Sequence, residues 1–371
     1  MLSLGFDAKR ALYNTSGLGN YARTLLGNLI AQSPEHQYHL YAPGRKDAET
    51  NPRIAAFQHP SQHLHLDRRL GANLHRTLGM RSQVLRDRVQ VYHGLSNEIP
   101  LDLVGSGVQT ILTVHDLLFM DLPLTYPWLD RQIYRFKTQS GLAKADRVVA
   151  ISQTTRDRLV HYFPQIQNRV EVIYQPCAPD YYQDPWAQTT AHPSIPEEPY
   201  WLYVGNIEAR KNLRGILKAL RALPSNERLP LVIIGRGGAE ALACRQMGSA
   251  WGLDLRWMAQ PNGSLRPWYQ RATALVYPSI AEGFGLPVAE ALLSGCPVVT
   301  SENTSMAEFS GSHAILVNPN DTDSLVMGLQ KSQTAEYASL ESRQKARQSM
   351  LQLLDPSLLT QKWLDLYQQM A

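Results

Sequence analysis

At 371 residues, 44% hydrophobic and 18% charged, the chain is expected to be globular and long enough for two cores, which excludes a disordered or fibrous protein. Its formal charge of +4 is local: residues 1–190 carry 20 Lys and Arg against 16 Asp and Glu, while residues 191–371 carry 16 of each. That small excess comes with no binding motif, so nucleic acid is not an expected partner.

Cys177, Cys244 and Cys296 are odd in number and scattered, which argues against a cysteine metal site or a disulfide framework and suits a reducing compartment. No stretch approaches the roughly 18 apolar residues of a membrane span. Asp7 interrupts the N-terminus too early for a signal-peptide core, so a cytoplasmic location is expected.

In chain order, short β-rich runs alternate with helical patterns. Strands are predicted at 2–6, 38–42, 89–94, 109–116, 147–152, 169–174, 200–205, 231–235, 274–279, 297–301 and 314–317. Helices are predicted at 20–31, 129–144, 153–162, 212–222 and 287–294. The alternation predicts an α/β fold with parallel sheets covered by helices on both faces. The segment "QDPWAQTTAHPSIPEEP" (183–199) has four prolines and little periodicity, and reads as a linker. A first domain is therefore expected over 1–182 and a second over 200–355, with a last helix at 356–371 packing back on the first.

Several stretches carry chemistry. In "TSGLGNYARTLLGNL" (15–29), Gly17, Gly19 and Ala22 satisfy G-x-G-x-x-A, which makes an NAD(P)-dependent oxidoreductase the rival reading. Against it, "DAKRALYNTS" separates the glycines from their strand, and "YHLYAPG" lacks the expected acid. "HLDRRLGANLHRTLGMRSQVLRDRV" (65–89) repeats leucine at 66, 70, 74 and 78 beside six arginines. Such a helix either lies on an anionic membrane or packs its leucines on the sheet. "VYHGLSNEIP" offers His93, Asn97 and Glu98 after a strand, as an acceptor-side loop or as ordinary turn residues. "QTILTVHDLLF" ends its strand at His115 and Asp116, and Ser152 reads as an N-cap.

In "YVGNIEARKNLRGILKAL" a strand runs past Asn206 into Arg210 and Lys211, with Asn212 placed to cap the next helix. Two cations at a helix start oppose its dipole, a conflict that a bound diphosphate would resolve. "AEGFGLPVAEALLSGCPVV" (281–299) sets Glu282 and Glu290 eight positions apart around Gly283, Phe284, Gly285, Leu286 and Pro287, at the carboxyl end of a strand. Helix-start amides beside carboxylates suit a ligand with both phosphate and vicinal hydroxyls, a sugar nucleotide. The plainer alternative is a Gly-Pro turn with two solvated acids.

The run E-G-F-G-L-P-x-x-E-A resembles the E-x7-E donor motif of retaining GT-B glycosyltransferases, family 4, and the resemblance extends over nearly the whole chain. It implies two Rossmann-like doubly wound domains facing a central cleft. It places Glu282 at the transferred sugar, Glu290 at the ribose, and the amides of residues 283–286 on sugar and phosphate. Arg210 and Lys211 would hold the diphosphate; Asn206 stands where many members have arginine. Gly17 and Gly19 resemble the first-domain glycine loop that approaches the donor phosphates. His115 would orient the donor sugar, and Asp116 a neighbouring group.

The reaction implied is metal-independent, cofactor-free hexosyl transfer with retention. The donor would be GDP-mannose or a UDP-hexose, the acceptor a glycan or lipid-linked glycan of a surface polysaccharide. Segment 65–89 would touch the inner membrane face. A sugar-nucleotide epimerase, a phosphorylase or a non-catalytic binding subunit of this fold are the related alternatives.

Overall fold

The computed structural model describes residues 1–14, 17–44, 57, 59–68, 71–186, 194–259, 261 and 263–371, with backbone only at 73 and 74. The chain divides into two compact units, residues 1–176 with 354–371, and residues 177–353.

The first unit holds a seven-stranded parallel sheet of β1 (Ser3–Asp7), β2 (Gln37–Pro43), β3 (Gln62–Asp67), β4 (Val91–Gly94), β5 (Gln109–Val114), β6 (Arg147–Ala150) and β7 (Val170–Val172), in the order β3-β2-β1-β4-β5-β6-β7. The second holds six parallel strands, β8 (Trp201–Val204), β9 (Leu231–Ile234), β10 (Leu255–Met258), β11 (Ala274–Tyr277), β12 (Val298–Ser301) and β13 (Ile315–Val317), ordered β10-β9-β8-β11-β12-β13. The strand order reverses between β1 and β4 and again between β8 and β11. In such sheets ligands bind outside the carboxyl ends of the strands at that switch.

Central strands such as β5 and β9 are buried nearly throughout, because helices cover both faces. The edge strands β3 and β10, "QHLHLD" and "LRWM", are not predicted above. Their residues all keep some surface and therefore lack a continuous apolar run. In the second unit the helix Leu213–Ala222 buries Leu213, Ile216, Leu217 and Leu220 against Trp201, Leu231 and Val276. Asn212 adopts φ 59° and its side chain accepts from the Gly215 amide at 3.2 Å, capping that helix.

The helix Pro356–Met370 belongs to the first unit and buries Trp363 and Tyr367. His93 meets both: its ring lies 4.6 Å from the Trp363 ring, and Nδ1 is 2.7 Å from the Tyr367 hydroxyl.

The segment 65–89 is not one amphipathic helix. It comprises the end of β3 and two short helices, Ala72–Leu78 and Arg81–Arg86. Gly71, at φ 83°, and Gly79 punctuate it. Arg69 and Leu70 lie outside the described residues, as does the Leu74 side chain. Arg76 turns inward, pairing with Asp7 and, at 2.6 Å, with Glu98. The basic stripe expected along this segment therefore loses one of its members to the interior.

Candidate functional site

In the second unit, the loops after β8 and β11 meet beside the switch. Ile280 donates its amide to the Arg210 carbonyl at 2.7 Å, locking one loop to the other. The Arg210 guanidinium lies 2.8 Å from Glu282 Oε1, 3.0 Å from Glu208 Oε2 and 3.0 Å from the Ala281 carbonyl. Lys211 sits 4.0 Å from the same Glu282 oxygen, its ammonium over the Tyr277 ring. Tyr277 and Ser279 donate hydroxyls to that oxygen at 2.8 and 3.1 Å. Burial pulls the Lys211 pKa below its ordinary value despite Glu282. Gly205, the first residue after β8, has φ 133°, a conformation L side chains rarely adopt.

The loop 282–286 is fixed from behind. Ser305 donates to the carbonyls of Glu282 at 2.9 Å and Phe284 at 3.0 Å. Phe284 is buried and stacks on Phe309 at 4.7 Å. Gly285, at φ 102°, caps the helix Leu286–Leu293, and a Cβ there would strike Met306. Pro287 lies in that helix's first turn. Gly283 and Leu286 complete the same turn, and Asn206 is exposed one residue past Gly205.

Glu290 stands apart from this cluster and, among the described residues, shares no hydrogen-bond or ion-pair partner with Glu282. The residue is half-buried, and Tyr269 donates to Oε2 at 3.1 Å. Burial pushes its pKa up to about 7, with Asp180 adding to the rise and the Tyr269 and Tyr181 hydroxyls opposing it.

In the first unit, His115 follows β5 and is buried. Its Nε2 donates to the Leu95 carbonyl at 2.8 Å, and burial drops its pKa to about 4. A neutral imidazole with Nε2 committed is poorly suited to general-base work. The ring lies edge-on to Tyr21, at 4.7 Å. It lines a pocket of about 220 Å³ together with Arg10, Asn97, Glu98, Asp116 and Lys137. Asp116 accepts from the Leu118 amide at 3.2 Å. Glu98 binds Arg76 and, at 3.0 Å, Lys137; burial raises its pKa, but the two cations outweigh it and hold it low.

His93 is the exception among the acceptor-side candidates. It lies within β4, fully buried, with Nδ1 on Tyr367 and Nε2 2.7 Å from the Thr113 hydroxyl, so it serves the core and faces no loop. Gly17 opens the helix Gly17–Gln32, which follows β1 only after an intervening helix, Lys9–Tyr13, unlike a dinucleotide fingerprint. Gly19 lets that helix pass against the Asn14 carbonyl, where a Cβ would collide.

Sequence reading missed the supports, namely Tyr277, Ser279, Ser305 and the Asp7–Arg76–Glu98 chain. Glu98 and Arg76 stand out separately, Glu98 as an acceptor-side candidate and Arg76 within the basic segment, but nothing local links them to Asp7. Asp321 and Asp323 form an Asp-x-Asp triplet at the start of the helix Thr322–Lys331, where Asp321 caps the helix by accepting from the Asp323 amide at 3.0 Å.

Residues 186–349 match the family described as glycosyl transferases group 1, and residues 15–181 match glycosyltransferase family 4. O-antigen chain mannosyltransferase B of Escherichia coli is 31% identical over 283 residues, covering 71% of this chain and 72% of that one. O-antigen chain mannosyltransferase RfbU of Salmonella typhimurium is 29% identical over 58% of each chain. Among solved structures, a sucrose-phosphate synthase from Thermosynechococcus elongatus superposes with a TM-score of 0.75 at 18% identity, over 100% of this chain and 99% of that one. With parallel α/β units of this topology, the chain belongs to the group 1, family 4 glycosyltransferases and has the GT-B fold.

Proposed function

We propose that the protein transfers a hexosyl residue, mannosyl before others, from a nucleoside diphosphate sugar to a glycan or lipid-linked acceptor in surface-polysaccharide assembly, with retention and without a metal. The donor is GDP-mannose, with a UDP-hexose as the alternative; the O-antigen mannosyltransferase relatives favour mannose. The observation that carries this reading is the gathering of Arg210 and Lys211 on a single Glu282 oxygen beside the second sheet's switch.

That cluster is balanced without ligand, two cations against Glu208 and Glu282. A diphosphate drawn to Arg210 and Lys211 supplies the charge that buried Lys211 lacks and releases Glu282 to accept from a sugar hydroxyl. The start of the Leu286–Leu293 helix adds its positive end. In the transfer step the bond from the anomeric carbon to the leaving phosphate oxygen breaks. The acceptor oxygen bonds to that carbon from the same face, and the acceptor proton passes to the phosphate oxygen. Arg210 and Lys211 stabilise the charge arriving on the diphosphate. Neutral His115 orients the sugar, Gly17 and Gly19 approach the phosphates, and Glu290 takes the ribose hydroxyls. No other cofactor is required.

Asn97 and Glu98, which line the pocket of His115, serve the acceptor. The adjoining helix Trp128–Lys144 exposes Trp128 (68%), Leu129 and Phe136 (65%) beside Arg131 and Arg135, which suits a lipid-linked acceptor at an anionic membrane surface. This helix takes the docking role in place of residues 65–89. No described helix is long and apolar enough to cross a membrane. Peripheral attachment at a cytoplasmic membrane face follows from this reading.

Thermal-shift screening tests it directly. GDP-mannose, UDP-glucose and UDP-galactose are compared with NADH, each without added metal, and the product anomer of the best donor is read by NMR. Stabilisation by one nucleotide sugar and an α-linked product from an α-linked donor are expected. Stabilisation by NADH alone would overturn the proposal.

A further inference from the structure

We infer that His39, His65 and Asp87 form a binding site in the first unit for one divalent transition-metal ion of the zinc type. One ligand atom from each lies within 4.8 Å of the others. His39 Nδ1 and His65 Nε2 face one another at 3.1 Å, and His65 Nε2 lies 3.5 Å from Asp87 Oδ2. With zinc–nitrogen bonds of about 2.05 Å, two ligands of a tetrahedral ion stand about 3.3 Å apart. The two close pairs bracket that edge length, so an ion fits with small movements of side chains already in place.

The rings are held by sheet register. Tyr41 of β2 pairs with His65 of β3, and His39 with His63. The Tyr41 and His65 rings stack at 4.7 Å, and those of His39 and His63 at 4.8 Å. Asp87 arrives from the turn that ends the helix Arg81–Arg86. Each of two ligands also has an outer partner. Tyr41 donates its hydroxyl to Asp87 Oδ2 at 2.8 Å, and the Gln83 side-chain amide sits 3.1 Å from His65 Nδ1. With the amide oxygen turned toward the ring, Gln83 accepts Nδ1–H and leaves Nε2 bare for metal, the usual outer support of a ligating histidine.

Two imidazoles and one carboxylate select zinc, cobalt, nickel or copper over magnesium or calcium. His39 is buried, whereas the His65 and Asp87 side chains keep 23% and 17% of their surface, which gives an entry path and a water for the fourth position. Bound there, the ion ties the edge strand β3 to β2 and to the helix beyond. It takes no part in sugar transfer. His63 points elsewhere, its Nε2 2.6 Å from Gln37 Oε1, and is not a ligand.

The test uses the full chain without a histidine tag, stripped with chelator and titrated with Zn2+ by calorimetry while metal content is counted by mass spectrometry. One ion per chain and a raised Tm are expected. Asp87→Asn and His39→Gln should each weaken binding at least tenfold, and His63→Gln should leave it unchanged. Co2+ added to the unsubstituted chain should give the intense visible bands of a tetrahedral site, a readout that needs no variant to fold. No saturable micromolar binding, no tetrahedral Co2+ spectrum, or equal stoichiometry in Asp87→Asn and His39→Gln would each overturn the assignment.

Discussion

With the ribose on Glu290, as proposed, that carboxyl should set the pH range in which the protein takes up its donor. Burial holds its pKa near 7 rather than 4.5, so below neutrality the carboxyl is largely protonated. A ribose hydroxyl donating to a carboxylate makes a charge-assisted bond of about 1.5–3 kcal/mol, against about 0.5–1.5 for a neutral pair. A preference of about 1.4 kcal/mol for the ionised form lowers the pKa in the complex by about one unit, to about 6.

Donor affinity should then rise about eightfold between pH 5 and 8, most steeply near pH 6.5, where binding releases about half a proton. His115, with its pKa down at about 4, stays neutral across this range. The intact sugar nucleotide is the ligand to use, because a free nucleoside diphosphate titrates its own phosphate near pH 6. Calorimetry in two buffers of different ionisation enthalpy reads both affinity and proton release.

Stability runs the opposite way. The folded state binds the proton more tightly than the unfolded chain does, so stability is full below pH 4.5 and falls as pH rises to about 7, by up to about 3 kcal/mol. Glu290→Gln should remove both slopes. A flat affinity profile in the unsubstituted protein, or the same slope surviving in Glu290→Gln, would refute the assignment of the ribose to this carboxyl.

On the proposed role of Arg210, Arg210→Ala should lower kcat/KM by about 10²–10³-fold by removing a donor aimed at the leaving diphosphate; circular dichroism should show the fold intact, and steady-state kinetics with the donor at saturation should show kcat itself reduced. Trp363→Ala should cost about 3–5 kcal/mol in urea unfolding of the first unit, since it empties the space against the His93 ring. Exchanging Trp128 and Phe136 for serine should reduce sedimentation with vesicles rich in anionic lipid several-fold while leaving transfer to a short soluble acceptor unchanged. Equal sedimentation would remove the Trp128–Lys144 helix as the docking surface.

The central strands and the longer helices were legible because burial on both sheet faces writes long apolar runs into the chain. The helices Gln153–Tyr162 and Pro356–Met370 fall on the residues predicted for them, the first with the expected Ser152 cap. Strands β3 and β10 stayed hidden because an edge position allows half-exposed polar side chains. The leucine spacing of 65–89 imitated a helix that Gly71 and Gly79 interrupt. Arg76 could not be placed from its neighbours, as its partner Asp7 lies 69 positions earlier.

Glu282, Arg210 and Lys211 were each recognisable in their own stretch of chain; their meeting on one oxygen was not. The raised pKa of Glu290 comes from burial and Asp180, against the Tyr269 and Tyr181 hydroxyls, and no local pattern announces that surrounding. Cysteine spacing said nothing of the His39 group either, since register and packing alone bring positions 39, 65 and 87 together.

Residues 354–371 complete the unit that residues 1–176 begin. During synthesis, therefore, the earliest-made part of the protein must wait, with the side of His93 that Trp363 and Tyr367 will cover still open to water, until everything in between has left the ribosome. A nonsense codon at position 354 would leave residues 177–353 whole and expose the interior of the first unit, making such a product a substrate for chaperones and proteases rather than a slightly shortened protein.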